Sequence, residues 1–251
     1  MRKLCRRSLS LLLAALLILS VFAGGAVTVG AAAIGDPNYR IKADADFTVG
    51  SFVYEYNILD WGGDNTGSRD NTDVLQSIIN KLGELGGGTV YLPSGKYKIT
   101  GNITLRKGVT IRGDWQKPEK GQPIGGTILM AYAGRGGNEY STLGFITMEQ
   151  ECAVYNVAIW YPEQDPVNPV SYSPAIKMGP DGFWGNEFNN VKDVTLVNAY
   201  IGVLFSYTNG GASPIVNGLY GTTLKTAVEV DNIADVGRIE WVDLSPDYWI
   251  G

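Results

Sequence analysis

The chain has 251 residues, with 20 Lys+Arg against 25 Asp+Glu, 33 glycines, two cysteines and no histidine. Without histidine, Ser-His and Cys-His nucleophilic catalysis and every His-ligated metal site are excluded within these residues. The formal net charge of −5 argues against bulk attraction to nucleic acid or anionic lipid.

Residues 1–33 read as a secretory signal peptide. Arg2, Lys3, Arg6 and Arg7 form a basic start, Leu9 to Ala23 is apolar, and Ala31 to Ala33 are small residues suited to cleavage. An uncleaved anchor is the alternative. Cleavage removes the four basic residues and leaves 16 Lys+Arg against 25 Asp+Glu, a net of −9. An acidic polysaccharide then binds only through a local basic strip or bridging cations. Cys5 leaves with the signal, so Cys152 has no internal disulfide partner and the core alone must hold the fold. Residues 34–251 are long enough for one sizeable domain.

Residues 34–56 are an aromatic-rich lead-in expected to lie across one end of that domain. A Gly, Asn and Asp loop follows over 57–71. Val74, Leu75, Ile78, Ile79 and Leu82 then recur at the spacing of one helix face. Asp70, Asn71 or Thr72 supplies its N-terminal acceptor, and Gly86-Gly87-Gly88 ends it. Short strand-like pieces come next: Thr89–Leu92, Tyr97–Ile99, Ile103–Leu105, Val109–Arg112, Ile128–Met130 and Phe145–Met148.

A repeat begins at Val154. The pattern V-Y-N-V-A-I returns from Val191, Val216 and Ile239, after intervals of 37, 25 and 23 residues. A companion strand places Ile176, Val203 and Val228 at intervals of 27 and 25. Several short strands per period of this length predict a solenoid, because one coil cannot bury its inward side chains alone. The long first interval predicts a loop insertion over 160–174. A β-sandwich is the competing fold. The predicted architecture is all-β: a right-handed, single-stranded parallel β-helix with an N-terminal α-helical cap.

The segment from Asp60 to Asp114 resembles the N-terminal part of the pectate-lyase-like superfamily of right-handed parallel β-helices, which includes rhamnogalacturonases and epimerase-like domains. The matching residues are Gly63-Asp64, Gly67, Asp70-Asn71-Thr72-Asp73, Gln76, Gly86-Gly87-Gly88, Val90-Tyr91-Leu92-Pro93, Gly95, Tyr97 and Arg112-Gly113. The resemblance implies a secreted or envelope-associated protein whose partner is a polysaccharide. It supplies no catalytic residues, since this block forms the cap and first coils. The polygalacturonase-type motifs of the superfamily are missing: there is no Asp-Asp pair, and Arg238-Ile239-Glu240 departs from Arg-Ile-Lys.

The remaining chemistry must come from loops. Glu229, Asp231, Asp235 and Arg238 offer a weak lyase grouping, with Ca²⁺ as cofactor only if the reaction is an elimination. Glu163, Asp165, Asp181 and Glu187 are carboxylates open to glycoside hydrolysis. Aromatic faces stack on sugar rings while neighbouring carboxylates and amides bind hydroxyls. On that ground Trp160, Tyr161, Glu163, Trp184 and Glu187 are the candidate substrate-binding residues. No catalytic residue is assigned and no resident metal is expected. The sequence points to cleavage of a polysaccharide, by hydrolysis or elimination, with a non-catalytic glycan-binding module as the alternative. No nucleic acid partner and, after signal cleavage, no membrane partner is expected, and the molecule reads as a monomer or trimer. A strand at Arg238–Leu244 without a tapering coil after it predicts further coils beyond Gly251.

Overall fold

A computed structural model describes residues 39–42, 53–179, 186–233 and 235–248. It divides into two units, Met1–Val53 and Tyr54–Gly251. The first contributes one described strand, β1 (Tyr39–Lys42). The signal segment and most of the aromatic lead-in lie outside the described residues. Among the described residues, no helix is long and apolar enough to cross a membrane.

The second unit is a coil of parallel strands. The strands are β2 (Val53–Asn57), β3 (Thr66–Asp70), β4 (Gly88–Leu92), β5 (Gly95–Ile99), β6 (Ile103–Leu105), β7 (Val109–Gly113), β8 (Thr127–Ala131), β9 (Ile146–Met148), β10 (Ala153–Trp160), β11 (Ile176–Met178), β12 (Asn186–Glu187), β13 (Asn190–Ala212), β14 (Ile215–Ile233) and β15 (Arg238–Leu244). Their pairing resolves into three parallel faces. The first runs β2, β4, β7 and then the opening segments of β10, β13, β14 and β15. The second runs β3, β5, β8 and the closing segments of β10 and β15, with the middle of β13 and β14 between them. The third runs β6, β9, β11 and the later parts of β13 and β14. Each turn of the chain therefore lays one strand on each face.

The inward side chains stack in register. On the first face Val90, Ile111, Val154, Val191 and Val216 follow one another and are all fully buried. The repeat read from Val154 is thus one structural column, and Ile176, Val203 and Val228 form its counterpart on the third face. Stacking buries apolar surface that no single coil could cover, at roughly 25 cal/mol per Å². The corner between the first two faces is a one-residue bend in the left-handed region: Asn156, Asp193, Gly218 and Trp241 have φ of 60, 51, 84 and 54°. Asn, Asp and Gly tolerate that conformation at least cost.

Two coils carry insertions. The 37-residue interval is lengthened by the loop 161–175, as predicted. The step from Ile111 to Val154 carries two insertions, 114–126 and 132–145, that the sequence reading did not separate.

The helix α1 (Thr72–Glu84) buries Leu75, Ile78, Ile79 and Leu82 and contacts β4, β6 and β7. Thr72 N donates to Asp70 Oδ1 at 3.0 Å, so Asp70 supplies the acceptor at the helix start. Asn71 makes no cap bond; its side chain accepts from Asp64 N at 2.6 Å instead. Gly86, Gly87 and Gly88 all have positive φ, and a Cβ on Gly87 would lie 2.7 Å from the Gly108 carbonyl. Residues 66–70, read as loop, form β3 beside β5.

Candidate functional site

Side chains alternate across a strand, so the residues between the inward ones face out. On the second face Lys96, Ile128, Ala158, Thr195 and Tyr220 share one outward row, and Lys98, Met130, Trp160 and Val197 share the next. The loop 114–126 crosses this face. Its Trp115 Nε1 donates to Thr195 Oγ1 at 3.0 Å, the Trp115 ring lies 5.2 Å from Tyr220, and Gly121 N donates to the Asp247 carbonyl at 2.9 Å. That cover explains why Ile128, Ala158 and Thr195, though outward, are no more than 5% exposed.

At one side of the loop, Pro123 and Ile124 face Lys96, Ile128 and Trp160 across a cleft of about 120 Å³. Lys96 Nζ sits 5.6 Å from the Trp160 ring centroid, and Lys98 Nζ sits 5.3 Å from that of Tyr132. An ammonium over an aromatic face is held by the ring quadrupole and keeps its full charge. The cleft thus offers a stacking surface beside a fixed cation.

Of the residues singled out in the sequence, Trp160 lines this cleft, and the described Tyr161 and Glu163 do not. Tyr161 must be corrected. It is fully buried, at 4.9 Å and nearly edge-on to Tyr172 and 6.2 Å from Phe145, so it has no face to offer a sugar. The reason is the strand alternation: Ile159 and Tyr161 face inward, and Trp160 between them faces out. Burial pushes the Tyr161 hydroxyl far above its usual range. Glu163 is exposed, with Arg135 Nε 3.9 Å away on the neighbouring loop. Gln164 does not reach out to a ligand; its amide closes its own loop through Val170 N and the Val170 carbonyl, at 2.8 and 2.7 Å. Trp184 lies outside the described residues, and for Glu187 only its pairing with Ala212 is described. The sequence signal for Lys96 and Lys98 is Lys-Tyr-Lys in a strand, which puts two outward cations around an inward ring.

The third face holds a second grouping. Thr147, Lys177, Leu204 and Glu229 share an outward row. Lys177 is 1% exposed and its Nζ donates to the Ser141 and Thr142 carbonyls at 2.9 and 3.1 Å. Beside it Lys225 pairs with Glu139 and lies 5.4 Å from the Tyr200 ring. The Glu139 bond raises the Lys225 pKa, and the nearby Glu229 charge raises that of Tyr140. Glu229, Asp231 and Asp235 do not come together. Among the described residues, no group of three or more His, Cys, Asp or Glu converges to hold a metal.

Parallel coils on three faces with a helix across the first strands define the class. Residues 56–157 match the family described as Rhamnogalacturonase A/epimerase, pectate lyase-like, the superfamily that Asp60 to Asp114 resembles. Two curated relatives come from Azotobacter vinelandii. Alginate lyase 7 is 44% identical over 57 residues, which cover 23% of this chain and 7% of that protein. Mannuronan C5-epimerase AlgE1 is 32% identical over 115 residues, covering 39% of this chain and 8% of that protein. The chain thus spans less than a tenth of the length of either relative. Among solved structures, the A-module of the Azotobacter vinelandii mannuronan C-5 epimerase AlgE6 aligns with a TM-score of 0.49 at 18% identity, over 74% of this chain and 56% of that one.

Proposed function

We propose that this chain belongs to a secreted or envelope-associated protein that cleaves the glycosidic bonds of an acidic, uronate-bearing polysaccharide, and that the Lys96–Trp160 cleft grips one sugar of it. The observation that carries this reading is the ammonium of Lys96 placed over the Trp160 ring at the mouth of the cleft. Trp160 stacks on the apolar face of a sugar ring and Lys96 meets its carboxylate. This is the local basic strip that an acidic chain requires. The alginate and mannuronan named for the two relatives are polymers of that kind. The right hand of the coil belongs to the same reading, since parallel crossovers are right-handed in about 98% of cases. So does the role of α1 as an end cap.

The test is to incubate the full chain with polyuronate and with a neutral glucan, following binding, reducing ends and ultraviolet absorbance. Binding of polyuronate alone, weakened in Trp160→Ala and Lys96→Ala, supports the cleft. New reducing ends with an absorbing product indicate elimination; reducing ends alone indicate hydrolysis. Equal binding of both polymers overturns the substrate class. Binding without cleavage supports the second reading, a non-catalytic glycan-binding module, which the lack of histidine favours.

A further inference from the structure

The cleft of about 120 Å³ is smaller than the roughly 300–1,000 Å³ of an ordinary small-molecule site. It holds one ring of a polymer weakly, and useful affinity needs contacts further along the chain. The second face supplies them. Lys96 and Tyr220 occupy the same outward row, four strand steps apart through Ile128, Ala158 and Thr195. At 4.7–4.9 Å per step that is about 19 Å along the coil axis.

At the far end of the row, two exposed lysines of the loop 114–126 are held over rings. Lys117 Nζ lies 5.7 Å from the Tyr220 centroid, and Lys120 Nζ lies 5.7 Å from that of Tyr248. Tyr248 is itself fixed by its hydroxyl, which donates to Asp243 Oδ2 at 2.9 Å. None of Lys96, Lys98, Lys117 and Lys120 has a carboxylate ion-pair partner among the described residues. Six cation–aromatic pairs occur among the described residues, against about one per 70–80 residues in general, so this pairing is a property of the surface. A ring restrains a lysine without cancelling its charge. The ordering cost of placing that cation for a ligand is thereby met in the free protein.

We propose that Lys117 and Lys120, on the loop 114–126, form a distal anionic subsite, and that one polyuronate chain spans it and the Lys96–Trp160 cleft over the outer side of that loop, which covers the second face. This rests on the reading of the cleft given above. Bound at two places, a long chain gains from effective concentration what a short one cannot.

The experiment measures affinity of the full chain for a uronate trimer and a uronate octamer, at low and moderate salt. The octamer is expected to bind about tenfold more tightly than the trimer, and its affinity to fall more steeply with salt because two charged sites contribute. The double variant Lys117→Gln, Lys120→Gln is expected to lose that octamer advantage while trimer affinity is unchanged. Gln keeps most of the alkyl stem, and both side chains are exposed, so folding is retained; an unaltered thermal transition verifies it. Equal affinity for both oligomers in the parent chain overturns the distal subsite and leaves the cleft standing. So does an octamer advantage that survives the double variant. Binding of neither oligomer overturns both.

Discussion

Gln76 on α1 and Thr104 on β6 exchange two hydrogen bonds: the Gln76 amide donates to the Thr104 carbonyl at 3.0 Å and accepts from Thr104 N at 2.9 Å. A helix side chain thus stands where a neighbouring strand's backbone would stand. It satisfies one rung of an edge that would otherwise invite pairing with another chain. Gln76→Ala is expected to cost about 2 kcal/mol, at about 1 kcal/mol per bond. Urea unfolding monitored by tryptophan fluorescence checks this, and an unchanged midpoint would show that water replaces the amide at no cost.

Gly221 shows how closely the coils approach. Its φ is 109°, and a Cβ there would lie 1.9 Å from the Leu196 carbonyl of the preceding coil. Gly221→Ala is expected to destabilise by about 2–4 kcal/mol, from backbone strain and overpacking together. The exposed Gly121 also has positive φ, at 73°, but its Cβ would meet nothing within 4 Å. Gly121→Ala should cost less than half as much in the same denaturation assay.

Cys152 is buried, with its Sγ 3.1 Å from the Arg106 carbonyl, and desolvation pushes the thiol up to about 12. The thiolate is the reactive form, so at pH 8 almost none is present in the folded state. A thiol reagent at that pH is expected to modify Cys152 only after denaturant is added, with modification read by mass spectrometry. Rapid labelling of the native chain would contradict the burial of Cys152 against the Arg106 carbonyl.

Asp64 organises the loop before β3. Its carboxylate accepts from Thr66 Oγ1 at 2.7 Å, from Arg69 N at 2.7 Å and from Ser68 N at 3.0 Å. The Thr66 hydroxyl bond is the largest cause holding its pKa well below the usual carboxylate range, with the Arg69 amide next. A depressed acid stabilises the fold above its unfolded pKa, near 4, and that contribution fades as pH falls through the folded value. The parent chain should therefore exceed Asp64→Asn in stability at pH 7, and the gap should narrow progressively below about pH 4. A gap that stays constant down to acid pH would assign the effect to geometry rather than charge.

The candidate site was only partly legible in the sequence. Trp160 is conspicuous in the sequence as an aromatic at the mouth of an insertion. Tyr161 follows Trp160 on the opposite side of the strand, so the alternation of Ile159, Trp160 and Tyr161 buries it. Lys117 and Lys120 carry no local signal at all. Their positions over Tyr220 and Tyr248 are set by where the loop 114–126 lands, more than a hundred residues away along the chain.

By itself the sequence determined the column of inward residues. Val154, Val191 and Val216 recur because each coil must present an apolar side chain at the same place, and that demand is written residue by residue. It also determined the helix α1 and the glycine stop that leads into β4. Tertiary structure alone decided which outward side chains meet. Outward residues answer to no period, and a loop fixed only at its ends finds its partners through contacts that no stretch of sequence contains.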